Sequence, residues 1–212
     1  MKNQWYGKKY YLSILLIAEE TIRHLLDEIA LNDCEKAYKT LFMEMHVSLH
    51  DFAYGITKSQ EDAEEVVSDF FIALWQRRPA LRAIESPRLY FFTGVKNTAL
   101  NKLAKQRKQR MPLADTWHTR LTSVFFNPEE MMLSAEMVKG IMAAINELPT
   151  KCKVIFKLIK EDGLKYADVA QLLDISVKTV EAQMAIALRR IKTHSEFKHQ
   201  FPELHLLLTQ KK

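Results

Sequence analysis

Lys178, Thr179, Glu181, Ala182, Gln183, Ala185 and Arg189 share one side of a helical pattern whose other side carries Val180, Met184 and Leu188. Short polar and charged groups backed by an apolar stripe suit contact with base edges in a DNA major groove. A glutamine amide can pair with adenine through two hydrogen bonds, and alanine or threonine methyls can meet the thymine methyl. Arg189, Arg190 and Lys192 come last, where cations would lie near phosphates.

A second set of interaction residues lies in "SPRLYFFTGVKNTALNKLAKQRKQR". From Ser86 to Ala114 there is no acidic residue, while Arg88, Lys96, Lys102, Lys105, Arg107, Lys108 and Arg110 are present. Cations interleaved with amides and rings suit unpaired bases: the charge follows the backbone, and rings or amides receive the bases. The stripe that would do this runs Tyr90, Gly94, Asn97, Asn101, Lys105 and Lys108, beside a core stripe of Leu89, Phe92, Val95, Ala99 and Leu103. Tyr90, Phe91 and Phe92 are expected to be partly core, and a solvated Lys/Arg face is the plainer reading of this segment alone.

Residues for covalent chemistry are sparse. His46 and His50, spaced i, i+4, could place two metal ligands on one helix face. No glutamate stands beside the first as a base, and no third ligand is evident, so two partly exposed helix histidines are expected. Gly-rich phosphate loops and nucleophile motifs are absent from the sequence. No catalytic residue, metal or cofactor is expected, and the chain reads as a non-enzyme. Cys34 and Cys152 lie far apart without CxxC spacing, which suggests inert thiols in a reducing compartment.

The elements that must hold these residues are helices. The chain of 212 residues has 5 Gly and 6 Pro, and long β-branched alternation is lacking. Its formal net charge of +5 is compatible with a polyanionic partner. In "YADVAQLLDISVKTVEAQMAIALRRIK", Val169, Leu172 and Leu173 give a first helix its apolar face, and Ala170 allows a close crossing. Asp174 tolerates the left-handed backbone of a corner, Ile175 plugs the junction, and Ser176 can cap the second helix. This is a helix-turn-helix layout; an ordinary helical hairpin with a solvated outer face would share it.

Upstream, "TKSQEDAEEVVSDFFIALWQRRP" is the cleanest helix, with Thr57 or Ser59 as cap and Pro79 as stop. Its apolar stripe is Val66–Val67, Phe70–Phe71 and Leu74–Trp75; Glu65, Asp69, Ile72 and Gln76 fall outside it. Residues 22 to 55 read as helices buried through Leu25, Ile29, Ala37, Leu41, Met45, Leu49 and Phe52. In the later helix "TKCKVIFKLIKEDG", Val154, Ile155, Leu158 and Ile159 point inward and Gly163 ends it. "KKYYLSILLIAEE" has the flavour of a signal peptide, but its apolar run is too short to span a bilayer. No cleavage site follows it, so a cytoplasmic amphipathic helix without membrane insertion is expected.

The expected fold is all-α: two small helical domains joined by a linker, the C-terminal one a helix-turn-helix domain. The division is an N-terminal extension 1–24, a helical domain 25–110, a linker 111–128, a helix-turn-helix domain 129–195 and a tail 196–212.

Taken together, these stretches resemble bacterial RNA polymerase sigma factors of the extracytoplasmic-function (ECF) type, in the sigma-70 family. "DEIALNDCEKAYKTLFMEMHVSLHDFAYGITKSQEDAEEVVSDFFIALWQRR" looks like the family's first conserved region, and "SPRLYFFTGVKNTALNKLAKQRKQR" resembles its promoter-opening helix. "ELPTKCKVIFKLIKEDGLKYADVAQLLDISVKTVEAQMAIALRRIK" is similar to its C-terminal domain. The resemblance implies an alternative sigma factor that binds core RNA polymerase, recognises the −35 and −10 promoter elements and helps to open the promoter. It implies core-polymerase contacts at Glu65, Asp69 and Gln76. It assigns −10 contacts to Arg88, Tyr90, Lys96, Asn97, Asn101 and Lys105. For −35 readout it implies Lys178, Thr179, Glu181, Ala182, Gln183, Ala185 and Arg189. Core RNA polymerase, promoter DNA and an anti-sigma factor are the implied partners. Glu181 and Ile186 stand where some relatives carry basic residues, and Asp174 where Gly is frequent.

Two other readings remain. A regulator of the quorum-sensing or response-regulator type shares a similar "SVKTV" core but needs an α/β domain in front, where this chain is helical. A non-DNA helical adaptor would keep the acidic helix without needing the basic stripe or the polar recognition face.

Overall fold

The structure, a computed structural model, describes residues 17–107 and 143–193. The chain divides into two compact units, and these segments are the described parts of each. Among the described residues every regular element is helical. The expected linker 111–128, the tail 196–212, most of the N-terminal extension, the helix starting at Glu129 up to residue 142, and Lys108 lie outside the described residues.

The first lobe contains α1 (Glu19–Asn32), α2 (Glu35–Thr57), α3 (Gln60–Gln76), a 3₁₀ segment (Arg78–Ala83) and α4 (Pro87–Arg107). Residues with a left-handed backbone separate the first three helices: Asp33 at φ 47° and Lys58 at φ 63°. Ser59 caps α3, its Oγ accepting from the Asp62 backbone N–H at 3.2 Å, while Thr57 still belongs to α2. Glu61 and Asp62 occupy the first turn of α3, where negative charge favours the helix dipole.

The core of this lobe is α2 and α3 packed on each other and on α4. Leu41, Met45, Leu49, Val66, Val67, Phe71, Phe91, Phe92, Val95 and Ala99 are essentially solvent-free. Each large side chain so buried stabilises the fold by about 1.5–3 kcal/mol. On α1 the buried set is Ile22, Leu26 and Ile29, so the apolar face is turned by one residue from that expected, and Leu25 is half-buried. Leu89, Leu103 and Trp75 are also half-buried, and Phe91, expected to be partly core, is fully buried beside Phe92.

Gly94 sets how closely α4 crosses α3. A Cβ there would lie 2.2 Å from Cε2 of Phe70, a distance no packed side chain tolerates. Gly94 therefore serves the core and not the open stripe predicted for it.

The second lobe contains α5 (Thr150–Lys160), α6 (Tyr166–Leu173) and α7 (Val177–Thr193). Gly163, at φ 71°, turns the chain after α5. Val154, Ile155, Leu158, Val169, Leu172, Val180, Met184, Ala187 and Ile191 fill the core; Ile159 is half-buried.

Candidate nucleic-acid interface

The corner between α6 and α7 is built as its residues dictate. Asp174 takes the left-handed conformation at φ 54°, and the Ile175 N–H donates back to the Ala170 carbonyl at 3.0 Å. Ser176 then caps α7: its Oγ accepts from the Thr179 N–H at 3.1 Å and bonds the Thr179 hydroxyl at 2.9 Å. At the other end of α6, the Lys165 N–H donates to the Asp168 carboxylate at 3.3 Å.

Burial of Val180, Met184, Ala187 and Ile191 fixes the rotation of α7. Ala187 and Ile191 take the place expected of Leu188, which is half-buried. Lys178, Thr179, Glu181, Ala182, Ala185 and Arg189 are consequently exposed together. Gln183 departs from the expected outward position: it is half-buried, and its Oε1 accepts from the Cys152 thiol of α5 at 2.8 Å. Glu181 also acts inward, since its charge adds to burial in raising Tyr166 above the usual phenol range.

On α4, Asn97, Asn101 and Lys105 are exposed on one face. Lys96 and Tyr90 are half-buried, and the Tyr90 ring sits against Phe91 and Phe70 at centroid distances of 6.1 Å each. Arg88 differs from the exposed members of the expected base-binding set. It is buried; its Nε meets the Glu19 carboxylate at 3.0 Å, and its Nη2 donates to the Ile17 carbonyl. A guanidinium held this way packs α4 on α1. Lys102 is likewise turned to α3, with Nζ 3.2 Å from Asp62 and 2.5 Å from Glu65.

The start of α4 is held by further contacts from α1. Arg23 donates to the Ile84 carbonyl at 3.2 Å and to the Glu85 carbonyl at 2.6 Å, and Asp27 meets Arg82 at 3.4 Å. Asp33 pairs with Arg78, whose guanidinium lies 4.8 Å from the Trp75 ring. Hydrophobic periodicity carries no sign of this strut, because charge pairs between separate helices leave no periodic signal.

Glu65, Asp69 and Gln76 are exposed on α3, with Glu65 also engaged by Lys102. Between them stands Ile72, 55% exposed, at the edge of a shallow groove with Tyr38, Lys39, Phe42 and Trp75. Its position outside the core stripe is the sequence signal for an exposed apolar side chain on an otherwise polar face. His46 pairs with Glu64 at 3.1 Å and stacks on His50; among the described residues no group of side chains is arranged to hold a metal ion.

Comparison with known proteins matches each of the two lobes to a family model. The family models for "Sigma-70 region 2" and "Sigma-70, region 4" match residues 41–109 and 139–191. The ECF RNA polymerase sigma-E factor of Haemophilus influenzae is 29% identical over 143 residues, covering 63% of this chain and 75% of that one. That of Escherichia coli is 27% identical over 131 residues, covering 58% and 68%. A solved structure of CnrH in complex with the cytosolic domain of CnrY is 21% identical, covers 81% of this chain and 95% of that chain, and gives a TM-score of 0.45. With both of its domain types matched along one chain, and sigma-E factors as relatives, the protein belongs to the sigma-70 family as an ECF-type alternative sigma factor of transcription initiation.

Proposed function

We propose that the two lobes divide promoter recognition between duplex and single strand. The exposed face of α7 reads the −35 element as duplex, with Lys178, Thr179, Glu181, Ala182 and Ala185 near base edges and Arg189 near phosphates. The face of α4 carrying Lys96, Asn97, Asn101 and Lys105, with Tyr90 at its edge, receives unpaired bases of the −10 element. Trapped bases offset an unstacking cost of a few kcal/mol per step. Arg88 is outside this set because its guanidinium is committed to α1.

The observation that carries the reading is the corner at Asp174, which leaves a polar face on α7 exposed over a fully apolar buried one. The outer face of α3, through Asp69, Ile72, Gln76 and Glu65, docks on core polymerase. Covalent chemistry belongs to that polymerase, and this chain supplies none. Among the described residues no helix is long and apolar enough to cross a membrane, and a cytoplasmic site of action follows from the partners proposed. An anti-sigma factor is a further partner implied by the family.

The test is reconstitution. Core polymerase with this protein should initiate at mapped start sites of the source genome, and permanganate should detect melting. Substitutions on α7 should change −35 preference, and substitutions at Asn97 or Asn101 should reduce melting after normal initial binding. Equal effects of both sets on duplex binding alone would reject the division.

A further inference from the structure

Gln183 differs from its neighbours on α7. Ala182 and Ala185 are exposed, whereas Gln183 is half-buried and its Oε1 accepts from the Cys152 thiol at 2.8 Å. Cys152 itself, on α5, is only 1% exposed. Burial pushes this thiol above its ordinary value of 9.0, against an opposing pull from the Arg190 charge, so it keeps its proton at neutral pH and remains a donor.

A glutamine amide carries its oxygen and its NH₂ on opposite arms of one plane. With the oxygen drawn toward α5, the NH₂ is directed away from the buried thiol. A freely rotating amide matches adenine, accepting from N6 while donating to N7. An amide whose oxygen is engaged offers hydrogen-bond donors, and guanine presents two acceptors, O6 and N7, on its major-groove edge.

We propose that Cys152 is a positioning residue for base readout, orienting the Gln183 amide so that α7 presents a donor that favours guanine over adenine at one promoter position. This deepens the reading proposed above and rests on α7 contacting the −35 element.

The experiment measures base preference across a randomised −35 element, using holoenzyme reconstituted from core polymerase and the full chain. It compares wild type, Cys152→Ala, Cys152→Ser, Gln183→Ala and the Cys152→Ala/Gln183→Ala double variant. Cys152→Ala should move preference at one base pair from guanine toward adenine by at least about fivefold. Cys152→Ser, which keeps a donor, should retain the wild-type profile. Gln183→Ala should flatten the same position, and Cys152→Ala should add nothing to it.

Should Ala at this buried position unfold the lobe, Cys152→Val fills the volume without a donor and carries the same comparison. A Cys152→Ala profile like wild type, with Gln183→Ala flattening its position, overturns the inference and leaves α7 readout standing. So does a Cys152→Ala shift that persists without the Gln183 amide, which would mean an effect through helix packing. If Gln183→Ala flattens nothing, the inference falls. Loss of preference in Thr179 and Ala182 variants would then show that α7 still reads the element.

Discussion

Arg88 of α4 meets Glu19 of α1 at 3.0 Å, and Arg88 is buried although the helix it opens contains no acidic residue of its own. An isolated guanidinium at that depth is costly, so the partner must come from another element. Residues upstream of the matched sigma region 2 thus take part in holding its basic helix.

Glu19→Ala should lower the stability of the first lobe by about 1–3 kcal/mol, because the buried cation loses a charge-assisted hydrogen bond. Arg88→Ala should cost a similar amount. The double variant should cost less than the two together, since residues in contact are coupled. Urea unfolding of the purified chain gives all three values, and strict additivity would rule the coupling out.

Gly94→Ala should be strongly destabilising despite being a one-methyl change in mid-helix. The new Cβ would lie 2.2 Å from the Phe70 ring, itself packed against Phe71 and Phe91. Overpacking of this kind costs about 1–3 kcal/mol, against a gain of up to about 1 kcal/mol in helix propensity. A variant that melts at or above the wild-type temperature would show that Phe70 gives way freely.

These residues also mark where sequence reading stops. The corner at Asp174 and Ser176 and the caps at Ser59 and Gly163 were legible because each depends on a local backbone demand. The core stripe of α3 was legible because burial of Val66, Val67, Phe70, Phe71 and Leu74 repeats with the helix. Helix position alone puts Arg88 and Gln183 on open faces, whereas Arg88 is buried against Glu19 and Gln183 is half-buried with its amide oxygen held by Cys152. Long side chains choose direction by tertiary partners, and periodicity carries no information about those.

Ile72→Ala should weaken binding to core polymerase by about fivefold or more while leaving the unfolding midpoint nearly unchanged. The side chain is 55% exposed, so truncating it removes little from the lobe's own core. Its contribution would appear when a partner desolvates it, about 1–2 kcal/mol for a part-buried aliphatic anchor. A fluorescence titration of labelled chain with core polymerase measures the first quantity, and thermal unfolding the second. A fall in stability as large as the fall in affinity would recast Ile72 as a folding residue.

Lys102 gives the first lobe an alkaline dependence. Burial acts to lower this ammonium, but the hydrogen bonds it donates to Glu65 and Asp62, and their negative charges, outweigh it and hold Lys102 above its ordinary 10.5. The folded state therefore keeps its proton longer than the unfolded chain. That stability is fully present below pH 10.5 and is lost as pH rises through the raised value. Lys102→Gln should be less stable at neutral pH and should show a shallower decline above pH 10.5. Parallel wild-type and variant curves would exclude Lys102 as the source.

The two exposed groups on α4 should separate by salt. Lys105 ends in a point charge and Asn101 in a neutral amide, and both are open to solvent on the same helix. If Lys105 neutralises one phosphate of a separated strand, Lys105→Ala should reduce the slope of log K against log salt by about 0.7. The loss should be similar for all sequences. Asn101→Ala should leave that slope unchanged and alter preference among unpaired bases, since an amide reads base edges and releases no counterion. Holoenzyme binding to a pre-melted promoter fork over a range of potassium concentrations measures both. A changed slope for Asn101→Ala, or a base-specific loss for Lys105→Ala, would exchange the roles assigned to these side chains.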